Sequence, residues 1–150
     1  MANQLLLGGD DDLIVIELHY QVKKNKHGQR QFRILSDEDV EKMPKPKEGE
    51  EKAYETLETK WRPQTWQTNN ELLKNSMSYN KVSGGSELDW SAYQQNVFRY
   101  CLSAWNVTDG EGRPVPPSIE NVGMLPSNVA RALIQRYDEA LMIDEDEKKE

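Results

Sequence analysis

Hydrophobic periodicity changes once along this 150-residue chain. Up to Trp61 apolar side chains recur with period two, as on strands buried on one face, and from Trp66 onward they recur every three or four residues, as on helices packed by one stripe. A single switch of period segregates strands from helices along the sequence, which points to an α+β chain rather than to alternating βαβ units. The expected fold is an N-terminal antiparallel β-hairpin or three-stranded sheet followed by a mainly α-helical C-terminal half. One domain spans 1–150, with a flexible start at 1–12, a β-rich part at 13–61 carrying a charged loop at 42–52, a helical part at 62–143 and a disordered acidic tail at 144–150.

In the first part, Ile14, Ile16, Leu18, Tyr20 and Val22 alternate with neighbours that become polar from Glu17 on. The basic run Lys23-Lys24-Asn25-Lys26-His27-Gly28-Gln29-Arg30 turns the chain, and Gln31–Leu35 returns as a paired strand, with Arg33 extending the basic stretch. Ser36 caps a short acidic helix through Met43, which Pro44 and Pro46 end. From Lys42 to Lys52 the chain is nearly all charge, Pro and Gly, too polar to offset its ordering entropy, so a mobile loop is expected there. Tyr54–Trp61 resumes the alternation as a third strand, and Arg62-Pro63 stops it.

In the second part, Thr65 caps a helix predicted over Trp66–Met77, with Trp66, Leu72 or Leu73, and Met77 inward. Ser83-Gly84-Gly85-Ser86 reads as a flexible connection, and Asp89 caps a central helix running to about Trp105 on a stripe of Trp90, Tyr93, Val97, Cys101 and Ala104. Asp109–Gly112 turns the chain, and Ser118 caps a short helical turn ending at Gly123. A last helix starts at Pro126 or Ser127 and presents Val129, Ala130, Leu133, Ile134, Tyr137, Leu141 and Ile143 on one face.

Composition narrows the function. A net charge of -7 repels polyanions on average. The Lys23–Arg30 run, with Arg33 beyond it, is the one basic exception; it lacks an interleaved aromatic for base stacking and reads as a solvated hairpin tip, so nucleic acid is not an expected partner. The single cysteine, Cys101, rules out an internal disulfide, no apolar run approaches the ~20 residues of a membrane span, and the first residues lack the basic start of a signal peptide. A cytoplasmic protein without membrane attachment is expected. Two histidines are too few for a convincing zinc site, and Cys101 falls in a helical stripe as a core thiol. Asp109 and Glu120 have the separation of a calcium loop, but Arg113 and Pro114 stand where that loop needs an oxygen ligand and a glycine. Asn106-Val107-Thr108 matches a glycan acceptor, without consequence in a cytoplasmic protein. No phosphate loop, serine elbow or paired-histidine motif is present, so no catalytic residue, metal or cofactor is assigned and the expectation is a binding protein, not an enzyme.

Lys60-Trp61-Arg62-Pro63-Gln64-Thr65-Trp66-Gln67-Thr68-Asn69-Asn70, then Leu88-Asp89-Trp90-Ser91-Ala92-Tyr93, then Trp105-Asn106-Val107-Thr108-Asp109-Gly110-Glu111-Gly112 with its Pro-rich link into a helical ending, resembles small tail-assembly proteins of long-tailed bacteriophages, over roughly Thr59 to Leu141. The resemblance implies a mostly helical chaperone in the host bacterial cytoplasm that binds the tape-measure protein and recruits tail-tube subunits. Its partner-binding candidates are Trp61, Trp66, Trp90, Trp105, Leu133 and Tyr137, with a groove between the Trp90 and Val129 helices for a partner's apolar stripe. For Trp61 and Trp66, core packing competes with a role as exposed anchors, and is favoured. Self-association is open. Two alternatives stand beside it: a structural virion component at the tail, tail end or connector, and a small regulatory protein touching nucleic acid through the Lys23–Arg33 hairpin.

Overall fold

The computed structural model describes residues 5–142; Ile143 and the acidic tail at 144–150 lie outside them. Strands β1 (Ile14–Lys24) and β2 (Arg30–Leu35) form the expected hairpin, and β3 (Glu55–Trp61) adds to the other edge of β1, all antiparallel. A short helix, α1 (Asp37–Glu41), follows β2. Its cap is reciprocal: the Ser36 hydroxyl accepts from the Asp39 amide, and the Asp39 carboxylate accepts from the Ser36 amide. Lys42–Lys52 contains no helix or strand. At the amino end the expected flexible start has one point of local order, where the Asp12 carboxylate accepts from the Gly8 and Gly9 amides at 3.0 Å each.

The second half is mixed rather than mainly helical. Helix α2 (Trp66–Asn75) stops short of Met77, which instead begins a hairpin of β4 (Met77–Asn80) and β5 (Gly85–Leu88). The expected flexible connection around Gly84 is the turn of that hairpin: Gly84, at φ +74°, donates to the Asn80 carbonyl, and the Asn80 side chain accepts from the amides of Val82 and Ser83. Helix α3 (Trp90–Cys101) ends four residues early, and Leu102–Trp105 forms β6 against β3. The sheet order is therefore β2-β1-β3-β6. A register shift between Lys60 and Trp61 places Leu102 opposite Trp61 and Trp105 opposite Thr59, which turns two residues three apart onto one face. That spacing is also helical, so the bulged strand reads in sequence as a last turn of α3.

Helices α4 (Ile119–Val122) and α5 (Ser127–Leu141) close the fold. Ile16, Leu18, Leu57, Thr59 and Trp61 project from one sheet face and are covered by α3 and α5, whose Val97, Phe98, Cys101, Leu133 and Tyr137 complete the core. The Trp61 ring stacks on Tyr137 with centroids 4.6 Å apart and tilts against Phe98 at 5.4 Å. Its indole N–H donates to the Thr59 hydroxyl at 2.7 Å, and that hydroxyl donates to the Ile16 carbonyl at 2.9 Å. The Tyr137 hydroxyl donates to the Arg62 carbonyl at 2.6 Å. From α5, Arg136 donates to the Glu17 carbonyl at 2.8 Å and Asn128 to the Phe32 carbonyl at 2.7 Å, which fixes that helix along β1 and β2.

Replacing Thr59 with valine keeps the shape and strands the indole N–H, while the Ile16 carbonyl keeps its ladder partner. We expect a loss of about 1–3 kcal/mol in urea unfolding with an unchanged m value. Burial also pushes the Cys101 thiol and the Tyr137 hydroxyl above their ordinary values of 9.0 and 10.0. Both stay protonated in the folded chain after their unfolded counterparts have ionised, so the unfolded state binds fewer protons at alkaline pH. Stability is therefore held below pH 9 and falls as the pH rises beyond it. Urea midpoints measured from pH 7 to 11 should show this fall, and Tyr137→Phe should make it shallower.

Candidate binding surface

The exposed large aromatic side chains, Trp66, Tyr79 and Trp90, all lie on α2, the β4–β5 hairpin and α3, while exposed aliphatic ones are also found elsewhere, as at Leu6, Val15 and Met124. Trp66 is 82% exposed, Trp90 68% and Tyr79 68%, with Met77 at 44% and Leu73 at 42%. The helical geometry accounts for Trp66. At 100° per residue, Trp66 and Leu73 are seven apart and share a face, whereas Leu72 lies about 120° from Trp66. Leu72 is fully buried, so Trp66 and Leu73 both turn outward. The expected inward stripe of α2 thus contains Leu72 alone, because Trp66 is out of phase with it and Met77 belongs to a strand.

Trp90 has a different cause. It is seven residues before the buried Val97, on the same stripe of α3, but it occupies the first helical position and stays 68% exposed, with Tyr93 meeting its ring edge to face at 5.8 Å. The stripe runs past its cover there. The N-caps are those read from the sequence: Thr65 accepts from the Thr68 amide and Asp89 from the Ala92 amide.

A buried polar knot fixes α2, the β4–β5 hairpin and α3 relative to one another. The Asn96 amide group donates to the Asn75 carbonyl at 3.2 Å and the Ser76 hydroxyl at 3.1 Å, and the Asp89 amide donates to the Ser76 carbonyl at 2.8 Å. Asn75 in turn donates to the Tyr100 hydroxyl at 2.8 Å. Ser76 and Asn96 are buried, and each has a partner. The aromatic groups of this unit therefore ride on a rigid base. Behind it, α3, α4 and α5 enclose an open groove of about 460 Å³, with Phe98, Ile119, Val122 and Leu125 as its apolar lining. It lies between the two helices where the sequence places one.

Of the six partner-binding candidates, the structure leaves two on the surface. Trp61, Leu133 and Tyr137 are fully buried, and no partner reaches them in this fold; Trp61 and Tyr137 are the stacked pair of the core. Trp105 is half-buried and its indole donates to the Val115 carbonyl at 2.6 Å, tying β6 to the proline-rich link. Trp66 and Trp90 remain. The preference for packing over anchoring holds for Trp61 and fails for Trp66. Sequence reasoning missed Tyr79, since the Met77–Asn80 alternation is only four residues long and its partner β5 has none, and it missed Asn106. The Asn106 carboxamide accepts from the Glu58 amide at 2.9 Å and donates to the Thr56 carbonyl at 3.0 Å, prolonging the pairing of β3 past the end of β6.

The chemistry-bearing residues are dispersed. His19 pairs with the Thr56 hydroxyl at 2.8 Å on the sheet face away from the core, while Cys101 is sealed on the core side. In the loop tested for calcium, the Asp109 carboxylate accepts from the amides of Glu111 and Arg113 and pairs with the Arg113 guanidinium at 3.3 Å. Its oxygens face the loop's own donors. A polar cleft of about 550 Å³ at the start of β3 holds Tyr20, whose hydroxyl donates to Glu55 at 2.7 Å and is pushed up to about 12 by burial and that carboxylate. Among the described residues no group of three or more His, Cys, Asp and Glu is placed to hold a metal, and no helix is long and apolar enough to cross a membrane. No family model, curated protein or solved structure matches the chain.

Changing Trp66 and Trp90 together to phenylalanine should shift thermal stability by no more than about 0.5 kcal/mol, because both rings are mostly exposed and phenylalanine can still meet Tyr93. The double variant should lose most of the emission quenched by acrylamide, leaving that of Trp61 protected.

Proposed function

We propose that the protein is a non-enzymatic assembly chaperone of a long-tailed phage tail, acting in the host cytoplasm on the tape-measure and tail-tube proteins. The observation that carries this is the exposure of Trp66 and Trp90 on a rigid base, with Tyr79, Met77 and Leu73 exposed on the same α2–hairpin–α3 unit. Tryptophan and tyrosine dominate the energetics of protein contacts, and large exposed apolar side chains that cost solubility mark surfaces with a partner. The partner in this scheme is an amphipathic helix of the tape-measure protein. It lays its apolar stripe into the groove lined by Phe98, Ile119, Val122 and Leu125, while Trp66 and Trp90 offer anchors on a separate surface of the same unit. The net charge of -7 keeps the free chaperone dispersed until it meets that helix. The order of the tryptophan-containing segments, which resembles tail-assembly proteins, supplies the choice of partner.

Coexpression with tagged tape-measure and tail-tube proteins tests the proposal. The wild-type chain should be captured by at least one of them, and Trp66→Ala with Trp90→Ala should reduce capture by roughly tenfold or more, the effect of losing one or two anchor residues. Absence of capture by both partners sinks the proposal. A structural tail component is the rival reading, and mass spectrometry of purified particles separates the two: a chaperone is missing from them, whereas a structural piece is present at fixed copy number.

A further inference from the structure

The β1–β2 hairpin outruns the sheet. Pairing between β1 and β3 stops at Tyr20 opposite Glu55, whereas pairing between β1 and β2 continues through four more rungs, from Gln21 opposite Arg33 to Lys24 opposite Arg30. Residues 21–33 therefore form a two-stranded ribbon with no third strand beside it. It holds Lys23, Lys24, Lys26, Arg30 and Arg33 and no acidic residue, a formal charge of +5, so the remainder of a chain of net -7 carries -12.

Three features separate this ribbon from a merely solvated loop. Its tip is built: Gly28, at φ +77°, donates to the Asn25 carbonyl at 3.0 Å, the Asn25 amide donates to the Gln29 carbonyl at 2.9 Å, and the Asn25 side chain accepts from the amides of His27 and Gln29 at 2.9 and 3.0 Å. The backbone that carries the cations is therefore already ordered, which removes that part of the cost of binding. They occupy both faces: Lys23 and Arg33 lie on one, Lys24 and Arg30 on the other, with Lys26 at the turn. Nor are they neutralised by ion pairs, since both salt bridges among the described residues belong to Arg113. Arg33, at the base, sits near enough to Asp39 to help hold its carboxyl below the usual range, behind the backbone and side-chain hydrogen bonds from Ser36. Lys24 and Arg30 face each other across a rung, where like charges are destabilising. A polyanion relieves that repulsion.

We propose that the ribbon of residues 21–33 is a binding element for duplex nucleic acid, entering a groove and contacting phosphates on both walls without reading sequence. The ribbon's two-sided charge decides between polyanions. A flat acidic protein surface neutralises one face of a ribbon and leaves the other in water, whereas a groove presents phosphates to both. The major groove of B-form DNA, about 12 Å wide, admits a two-stranded ribbon. The charge of -12 elsewhere turns the rest of the molecule away from the duplex and confines contact to the ribbon. This element is separate from the tryptophan-bearing unit and does not rest on the chaperone reading.

The test is fluorescence anisotropy of a labelled 24-base-pair duplex of arbitrary sequence, titrated with the full chain from 20 to 200 mM NaCl. About four to five phosphate contacts predict a slope of log K against log salt near -4, with dissociation constants of about 1–100 μM at the low-salt end. Lys24→Gln, Lys26→Gln and Arg30→Gln together should weaken binding at 50 mM salt at least tenfold and flatten the slope to about -2. Circular dichroism checks that this variant folds. Lys26→Gln alone, confined to the exposed turn, serves if it does not, and should reduce the slope by about one. Salt-independent binding, no binding at 20 mM salt, or unchanged affinity in the variants overturns the proposal. So does polyglutamate competing as well as duplex at equal charge, which would assign the ribbon to an acidic protein.

Discussion

Everything else in the fold is placed by the burial of one indole. Trp61 ends β3, and its ring lies between Tyr137 of α5 and Phe98 of α3, so one side chain joins the sheet to both covering helices. An indole cannot be sealed away with its N–H unpaired, at a cost of several kcal/mol in an apolar surrounding. The Thr59 hydroxyl, two residues earlier on the same face, meets that need and passes its own proton to the Ile16 carbonyl. The β1–β3 register that sets Ile16 opposite Thr59 is thus coupled to the stacking of α5. Tyr137 closes the circuit by bonding to the Arg62 carbonyl just beyond the strand. Slipping any one element by a residue breaks the aromatic stack and the hydrogen bonds at the same time.

Where local rules agreed with tertiary demand, the sequence was legible. The alternation Ile14 to Val22 became β1, Tyr54–Trp61 became β3 less one residue, and Ser36, Thr65, Asp89 and Ser118 all cap the helices that follow them. The errors have separate physical origins. The β4–β5 hairpin has only a four-residue alternation on β4 and none on β5, too little to mark a strand pair, and Asn80 with Gly84 shape a turn that looks like a linker. β6 was hidden by its bulge, which gives a strand the spacing of a helix. Self-consistent patterns are decoded from sequence; pairings dictated by a distant strand are not.

The binding surface was half legible for a related reason. Counting tryptophans finds the large aromatic groups but not their phase, and phase separates Trp61, with no exposed surface, from Trp66, at 82%. The phase of α2 follows from Leu72, which no short window distinguishes from Leu73 as the inward residue. Trp90 escapes for want of a neighbour beyond the first turn of α3. The core takes Trp61 and Tyr137, and Trp66 and Trp90 are the tryptophans it leaves exposed.

The fastening of α5 has an effect beyond holding a helix in place. β2 is an edge strand of six residues, and an open edge of that kind offers its carbonyls to any extended chain nearby. Asn128 takes the outward Phe32 carbonyl, so one acceptor of the edge is already occupied from the same molecule, and Arg136 reaches the Leu35 carbonyl at the strand's end at 3.5 Å. At the opposite edge β6 has only four residues, too short a rail for a second sheet to grow along. Both margins of the sheet are thereby made poorer templates for edge-to-edge pairing, on a molecule that displays uncovered tryptophans elsewhere.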